Sequence, residues 1–313
     1  MKNIIVKTFA LMTVLAMLLT GCASTTQEPS AAPTQEPAAA PTQEADEPTA
    51  APEEDATEAE LSGEIMISGS TSAEPLVTVL ADLLMEKHEK VSIAVQGNGS
   101  SAGIKAAADG TAQLGMSSRN LKDEEKDGLT PTTICMDGIA VIVNLENPAK
   151  ALTKEQIAGI FKGEITNWSE VGGNDEEILI ISREAGSGTR DAFEEIIGLT
   201  ETNADGNTVT LVDESRALIA DSTNAVSTTV AGKANAIGYI SLGSYDETLV
   251  HAIDVDGVAC SQETVLDGTY AIARPFVLVA GSGTEEIANA FLEYVMSEEG
   301  QAVVSEQKYI PVN

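Results

Sequence analysis

The stretch that decides the fold is Ile178–Ile197, which has the sequence ILIISREAGSGTRDAFEEII. Its start, Ile178–Ser182, is an apolar run that predicts a strand, and Thr189–Ile197 predicts a helix directly after a glycine-rich turn. A strand that leads at once into a helix is typical of α/β proteins. The turn between them offers backbone N–H groups, hydroxyls and the positive end of a helix dipole, which together suit an anion.

Two turns upstream repeat this pattern of strand, turn and helix. Gly69–Ser72 follows the predicted strand Glu64–Ser68, and Gly97–Gly103 follows the predicted strand Val91–Gln96. Ligands of α/β sheets bind at the carboxyl ends of strands, near the starts of helices. Plain helix capping would explain any one of these turns, because Ser, Thr and Gly are favoured at helix starts. Their recurrence, with Arg183 just before the third turn, favours an anion site.

A fourth turn, Gly281–Thr284, serves as an internal comparison. It resembles the third turn in sequence, but Glu285 and Glu286 follow it directly. Their carboxylates satisfy the helix dipole, which leaves no attraction for an anion. We therefore expect only a helix cap at this turn.

The rest of the chain continues the alternation of strands and helices. Gly138–Asn144 is continuously apolar, which is typical of a parallel strand or of a strand in the centre of a sheet. The alternation predicts an α/β fold with mostly parallel sheets. The other predicted elements are the helices Ala73–Lys87, Ser101–Asp109, Lys154–Phe161 and Glu285–Ser297 and the strands Ala236–Ile240 and Phe276–Ala280.

The composition of the chain excludes several classes of function. Among 313 residues, 17 Lys and Arg stand against 49 Asp and Glu, a formal net charge of −32, which argues against a nucleic-acid partner. Three cysteines and two histidines are too few and too dispersed for a metal or haem site, so no metal and no cofactor is expected. Cys135 and Cys260 are expected to be buried thiols rather than a disulfide.

The N-terminus predicts export and a lipid anchor. Residues 1–21 combine a positive start with an apolar run that is too short for a stable membrane span, which is typical of a signal peptide. They end just before Cys22, and the sequence Leu19–Cys22 resembles a bacterial lipobox, in which this cysteine is lipidated, for example with palmitate. The acidic, Pro-rich and Ala-rich residues 22–60 predict a disordered linker. We expect a protein anchored to the cell membrane that faces outside the cytoplasm.

Enzymatic alternatives have little support in the sequence. No Gly-x-x-x-x-Gly-Lys-Ser/Thr motif occurs, which disfavours a P-loop nucleotide hydrolase. Gly99–Gly103 matches Gly-x-Ser-x-Gly, the nucleophile motif of serine hydrolases, and makes Ser101 a formal nucleophile with His251 as its base. Nothing around His251 marks it as a base, so the protein is not expected to be an enzyme.

Several segments together resemble one family, the PstS-type phosphate-binding proteins of bacterial phosphate ABC transporters. The resemblance runs from about Gly63 to Asn313. Several motifs in the family's order are far more specific than any one turn. These segments are GSTSAEPL (69–76), GNGSSAGI (97–104), GMSSR (115–119), MDGIAVIVN (136–144), LTKEQIAGIFKGEITNWSEVGG (152–173), REAGSGTR (183–190), AIGYISLG (236–243) and YAIARPFVLV (270–279).

The resemblance implies a hinged, two-lobe periplasmic-binding-protein fold of type II, with the ligand in the cleft between the lobes. It assigns residues 61–137 and 271–313 to lobe I and residues 138–270 to lobe II. It implies a monomer that binds inorganic phosphate and hands it to the permease subunits of an ABC transporter. Another tetrahedral oxyanion, such as sulfate or molybdate, stays open as the ligand, as does a surface adhesion or signalling role. The resemblance implies phosphate contacts from Thr71, Ser72, Ser100, Ser118, Arg183, Ser187, Gly188 and Thr189.

Two positions depart from the family's pattern. Ser118 stands where many members have an Asp that accepts the proton of phosphate and so disfavours sulfate. Asp137, at the predicted crossover between the lobes, is the carboxylate that would replace it, or else it is only a turn residue before a strand. Ala185 replaces another Asp, which removes one possible orienter of Arg183. Outside the site, Trp168 is expected to pack in lobe II, and Glu194–Glu195 to form a solvated face.

Overall fold

The computed structural model describes residues 61–281 and 285–313. The predicted signal peptide, Cys22 and the linker lie outside the described residues, as do residues 282–284 of the comparison turn Gly281–Thr284. Within the described residues, no helix combines the length and the apolar character that a bilayer crossing requires.

Strands and helices alternate along the chain, as predicted. The strands are β1 Gly63–Gly69, β2 Val91–Gly97, β3 Leu114–Ser117, β4 Thr130–Asn144, β5 Ala151–Leu152, β6 Leu179–Arg183, β7 Thr200–Thr202, β8 Thr208–Thr210, β9 Ala217–Ala220, β10 Ala236–Ser241, β11 Val250–Ala252, β12 Asp254–Val255 and β13 Ala273–Ala280. The α-helices are α1 Glu74–Lys87, α2 Ser100–Ala108, α3 Lys154–Phe161, α4 Gly188–Ile197, α5 Thr223–Ala231, α6 Gln262–Leu266, α7 Glu286–Met296 and α8 Glu298–Glu306.

Within residues 61–281 and 285–313, nine strands form one sheet in the order β2-β1-β3-β13-β4-β10-β6-β9, with β11 paired to β4. The long strand β4 joins its two halves, because Thr130–Gly138 pairs with β13 and Ile139–Val143 pairs with β10. All three partners of β4 run antiparallel to it. The sheet is mixed, because β1 pairs in parallel with β2 and β3, and β6 pairs in parallel with β9 and β10, whereas every pairing of β4 and β13 is antiparallel. The expectation of mostly parallel sheets is therefore wrong, although β4 is a central strand, as its apolar run predicted.

Each half of the sheet has a hydrophobic core of its own. In the first half, β1 packs against α1 and α7 through residues such as Ile67, Leu80 and Phe291. In the second half, Phe193 and Tyr239 lie in a core that also contains Trp168. Trp168 is 1% exposed and donates from Nε1 to the backbone oxygen of Asn235, which confirms its packing role. The two cores give each half a rigid platform for the helix starts at the strand ends.

Two further predictions about side chains have opposite outcomes. Cys135 and Cys260 are free thiols, as expected; Cys135 is buried, whereas Cys260 is only half-buried, and burial raises the pKa of the Cys260 thiol to about 12. Glu194 is buried beside Arg190, 2.6 Å from its Nε, whereas Glu195 is exposed. The prediction of a solvated face is thus wrong for Glu194, because it lies one helical turn after Arg190 and pairs with that buried guanidinium.

Candidate anion-binding site

Four helix starts converge on one buried region of the molecule. Ser72 lies just before α1, Ser100 is the first residue of α2, Gly188 is the first residue of α4, and Thr223 is the first residue of α5. Ser72, Ser100 and Thr223 are each at most 1% exposed. The positive ends of four helix dipoles therefore meet in one buried region, which favours a negative ligand.

Hydroxyl groups from both halves of the sheet touch each other in this region. Ser72 Oγ lies 2.7 Å from Thr189 Oγ1 and 2.7 Å from Thr223 Oγ1. Thr71 Oγ1 lies 3.4 Å from Thr223 Oγ1. We call Thr71, Ser72, Thr189 and Thr223 the hydroxyl cluster. Each hydroxyl can rotate to donate its proton, so the same groups that bond to one another can all turn their protons to an anion.

Arg183 supplies a positive charge to the hydroxyl cluster. It ends strand β6 and is 1% exposed. Its Nη2 donates to Thr71 Oγ1 at 3.0 Å, and its Nη1 donates to Thr223 Oγ1 at 3.4 Å. A planar guanidinium fixed in this way presents two donors in one direction, the geometry that suits a tetrahedral oxyanion.

Glu184 holds the guanidinium of Arg183 in place. Its two carboxylate oxygens accept hydrogen bonds from Arg183 Nε and Nη2, both at 2.8 Å. The sequence suggested that Ala185 had removed an orienter of Arg183, and the carboxylate one position earlier provides that contact. The sequence could have indicated this contact, because Glu184 directly follows Arg183, but the family pattern places an Asp at the position of Ala185 instead.

Ser100 and Ser118, which we call the serine pair, face the start of α4. Their Oγ atoms are 3.3 Å apart, and Ser100 Oγ also accepts from the backbone N–H of Ser118 at 3.1 Å. Gly188 packs directly on them, since a Cβ there would overlap Ser100 Oγ and lie 2.8 Å from Ser118 Oγ. The close approach requires glycine. Ser187 caps α4 by accepting from the backbone N–H of Arg190, and its hydroxyl can still donate its own proton to a ligand.

The other two arginines near the turns are neutralised by carboxylates. Arg119 bonds to both oxygens of Glu125 and lies 2.8 Å from Asp191 on α4. Arg190 bonds to Glu194 and, at 2.5 Å, to Glu214. Arg119 therefore links the loop after β3 to α4, and Arg190 stabilises α4 itself, which leaves Arg183 as the arginine that bonds to the hydroxyl cluster.

Asp137 has hydrogen-bond partners outside the hydroxyl cluster. It is fully buried inside β4, where Oδ2 accepts from Arg274 at 3.0 Å and Oδ1 accepts from Ser241 at 2.8 Å. The alternative of a turn residue is wrong, because the strand runs through this position. Burial raises the pKa of Asp137 to about 6, against the opposing effects of Arg274 and Ser241.

The geometry around Ser101 is unlike that of a hydrolase nucleophile. Ser101 Oγ accepts a hydrogen bond from Arg119 Nη2 at 3.1 Å, and its backbone N–H donates to Gly186. His251 lies on β11 beside Val143 of β4, and burial lowers its pKa. A nucleophile needs a base within hydrogen-bonding reach, and Ser101 has a cation there instead.

Sequence analysis missed Thr223 as a member of the hydroxyl cluster. Its turn, Asp221–Thr223, follows the short strand β9 and opens α5, the same pattern as the three turns that were identified. Ser222 caps α5 by accepting from the backbone N–H of Ala225. The Ser-Thr pair before a helix was the available signal, but β9 has only four residues and two of them, Leu218 and Ile219, are exposed.

Comparisons with known proteins agree with this geometry. Residues 51–299 match the PBP superfamily domain. The phosphate-binding protein PstS of Bacillus subtilis is 33% identical over 262 residues, which cover 82% of this chain and 83% of that protein. A Clostridium perfringens structure with bound phosphate, described as a candidate phosphate ABC transporter substrate-binding protein, is 43% identical, with a TM-score of 0.74 over 80% of this chain and all of that one. An ABC-type phosphate transport receptor from Vibrio cholerae is 39% identical, with a TM-score of 0.66 and the same 80% coverage of this chain.

Proposed function

Because the chain belongs to the PstS-type phosphate-binding proteins of the PBP superfamily, we propose that it is the receptor of an ABC transporter and binds inorganic phosphate. It delivers the ion to the permease subunits and does no chemistry on it. The observation that carries the proposal is the convergence of Arg183 with hydroxyls from both halves of the sheet, at the starts of four helices.

The proposed phosphate ligands are the hydroxyls of Thr71, Ser72, Ser100, Ser118, Ser187 and Thr189, the backbone N–H of Gly188, and the guanidinium of Arg183, with Thr223 added from the geometry. Phosphate has five heavy atoms, and the best small ligands gain about 1.5 kcal/mol per heavy atom, so we expect a micromolar dissociation constant. Charge-assisted hydrogen bonds from Arg183 strengthen the binding further. The negative charge of the whole protein slows association at low salt but does not prevent local binding.

The binding cycle uses a hinge between two lobes, residues 61–137 with 271–313, and residues 138–270. Contacts between these segments support a closed arrangement: Ser72 with Thr189, the backbone N–H of Ser101 with Gly186, and Arg119 with Asp191. In an open state these contacts separate and the ion enters. Binding energy between the ion and both lobes then draws them together.

Selectivity between phosphate and sulfate depends on an acceptor for the proton of phosphate. Ser118 lacks the carboxylate that many relatives carry, and both oxygens of Asp137 already accept hydrogen bonds from Arg274 and Ser241. A hydroxyl oxygen of the serine pair can accept a hydrogen bond from protonated phosphate, but the same hydroxyl can also donate one to sulfate. We therefore expect this protein to prefer phosphate less strongly than relatives with an Asp at the position of Ser118 do. Sulfate or molybdate is the alternative ligand.

Receptors of ABC transporters are extracytoplasmic, and the start of this chain suits that location. We propose that residues 1–21 are removed, that Cys22 carries the lipid, and that residues 23–60 tether a monomeric receptor to the cell membrane. Metabolic labelling with palmitate tests this directly. We expect the wild-type protein to take up the label and to fractionate with membranes. The Cys22→Ala variant should stay unlabelled and should not fractionate with membranes. A wild type without label would contradict the lipid anchor.

A panel of oxyanions tests the proposed ligand. Phosphate, arsenate, sulfate and molybdate are added separately to the purified protein, and the melting temperature is recorded for the wild type and for Arg183→Ala. Phosphate is expected to raise the wild-type melting temperature most, because a ligand that binds only the folded state stabilises it. Arg183→Ala removes that shift, while Ser101→Ala keeps it. A shift with molybdate but not with phosphate would move the protein to the alternative ligand.

A further inference from the structure

Arg274 and Asp137 form a buried ion pair where strands β13 and β4 lie side by side. Arg274 Nη2 and Nε lie 3.0 and 3.2 Å from Asp137 Oδ2, and the two residues face each other in the strand register. Their side chains are 1% and 0% exposed. The fold thus holds a guanidinium in its interior, where a charge is costly unless its donors are satisfied.

One donor of this guanidinium has no partner. Arg274 Nη1 is buried and forms no hydrogen bond with any residue in 61–281 or 285–313. Asp137 holds Nε and Nη2, so the side chain cannot satisfy Nη1 by turning without losing that pair. An arginine does not give up its proton in a protein, and buried polar groups are normally hydrogen-bonded, so this position calls for an acceptor.

A polar network joins the ion pair to the hydroxyl cluster. Ser241 donates to Asp137 Oδ1 at 2.8 Å, and it also acts on the pKa of the nearby hydroxyl of Tyr309. That hydroxyl lies 3.5 Å from the backbone oxygen of Ser72. Burial and the nearby charge of Arg183 both lower the pKa of Arg274, against the pull of Asp137. An anion held by Arg183 and Ser72 therefore lies within electrostatic reach of Arg274.

We propose that Arg274 is a second guanidinium of the anion site, which donates from Nη1 to the bound ion. Asp137 is then a positioning residue that fixes the guanidinium, rather than a direct acceptor for the proton of phosphate. The inference rests on the proposed function, because it requires an anion in the hydroxyl cluster. Arg274 would add a charged N–H donor to a site in which Glu184 neutralises Arg183, although Asp137 in turn offsets the charge of Arg274.

Three variants of the full chain test the role of Arg274 by calorimetric titration with phosphate. Arg274→Gln is expected to weaken binding by about 30-fold or more, because one partner of a buried charge contact is lost. Arg274→Lys keeps the charge and recovers part of this loss. Arg216→Gln removes the same charge from an exposed pair with Glu177 and should change the dissociation constant by less than about twofold.

Asp137→Asn separates positioning from simple electrostatics. Removal of a negative charge near the site would by itself strengthen the binding of an anion. If Asp137 positions Arg274, the variant weakens phosphate binding instead, because the guanidinium is no longer fixed. Tighter phosphate binding by Asp137→Asn would overturn the positioning role.

The wild type, titrated in parallel, distinguishes a failure of the proposed function from a failure of the role of Arg274. A wild type that does not bind phosphate overturns the proposed function and this inference with it. A wild type that binds, with Arg274→Gln within about twofold of it, overturns the inference alone, since a purely structural role changes the melting temperature and not the affinity of the folded protein. A crystal structure of the wild type with phosphate tests the inference without depending on whether any variant folds. An ion oxygen within hydrogen-bonding distance of Nη1 supports the inference, and any longer separation contradicts it.

Discussion

The hydroxyl oxygen of Ser72 lies 2.7 Å from that of Thr189, although 117 residues separate them in the chain. Ser72 precedes α1 in the first half of the sheet, and Thr189 lies in the first turn of α4 in the second half. A hydrogen bond between these positions requires the two halves to be drawn together. The bond therefore marks the closed arrangement, and the groups that form it are the groups that we expect to receive the ion.

The fit between Gly188 and the serine pair leads to a first prediction. Gly188→Ala adds a methyl group that overlaps Ser100 Oγ, so closure around the ion is blocked. Overpacking of this kind costs about 1–3 kcal/mol, and we expect phosphate affinity to fall by about tenfold. Gly232→Ala is the matched control, because that glycine ends α5 with ordinary contacts of 3.5 Å or more. Calorimetry that finds equal affinity for both variants would contradict the fit.

The contact between Glu184 and Arg183 leads to a second prediction. Glu184→Gln keeps the size of the side chain but loses the charge that holds the guanidinium at 2.8 Å. Two opposing effects follow: the loss of a negative charge favours an anion, while a freed guanidinium loses its fixed direction. We expect the loss of the fixed guanidinium direction to have the larger effect on selectivity, so that the ratio of phosphate affinity to sulfate affinity falls by about threefold or more. Parallel titrations with both ions measure it, and an increased ratio would count against the orienting role.

Asp191 leads to a third prediction, about the rate of release. Its carboxylate lies 2.8 Å from Arg119 and 3.6 Å from Lys122, across the predicted cleft. Partly exposed ion pairs of this kind contribute up to about 1 kcal/mol, so Asp191→Asn should speed phosphate dissociation by a few-fold. Glu195→Gln, an exposed carboxylate on the same helix, is the control. Rapid mixing with a phosphate scavenger measures the rate of phosphate dissociation from each variant. Equally fast dissociation from Glu195→Gln and Asp191→Asn would contradict the role of Asp191.

The buried carboxyl of Asp137 leads to a fourth prediction, about pH. Burial raises its pKa from 3.8 to about 6, so between these values the folded protein keeps a proton that the unfolded chain loses. The contribution of Asp137 to stability is therefore present at low pH and declines as the pH rises from about 4 to about 6. Arg274, whose charge acts on Asp137, does not titrate in this range, and neither do Cys135, Cys260 and Tyr309, whose pKa values Asp137 raises.

Asp137→Asn removes this titration and provides the reference. The melting temperature of the wild type minus that of the variant should fall as the pH rises through this window, with the ion left out. A difference that grows with pH would mean that the folded protein prefers the ionised carboxylate, so that the pKa of Asp137 is lowered rather than raised by folding.

Local patterns predicted five of the eight α-helices and six of the thirteen strands in the described residues, and three of the four turns at the site. The helix Lys154–Phe161 has its predicted limits, and the other predicted helices differ from the observed ones by a residue at one or both ends. Long-range pairing was harder. The first part of β4 begins with polar Thr130, Thr132 and Thr133, so the sequence predicted only its apolar second part. Its antiparallel partners come from distant segments that no local pattern connects to it.

The same limit applies to the candidate site. Arg183 and the hydroxyls stood in recognisable turns, and the structure brings Ser72, Thr189 and Thr71 together as expected. Arg274 and Asp137 lie 137 residues apart, and only the pairing of β13 with β4 makes them partners. Thr223 follows a strand too short and too exposed to be recognised. The sequence did not reveal Arg274, whose partner depends on strand register, or Thr223, whose turn follows that short strand.

The central claim is that Arg183 and the hydroxyl cluster bind one phosphate ion, and calorimetric titration of phosphate into ion-free protein tests it most directly. The account predicts one ion per chain with a micromolar or tighter dissociation constant, and weaker binding of sulfate in the parallel titration. Arg183→Ala should abolish the heat of binding while its melting transition stays cooperative. Absence of phosphate binding to a folded wild type, or unchanged affinity in Arg183→Ala, would contradict the claim.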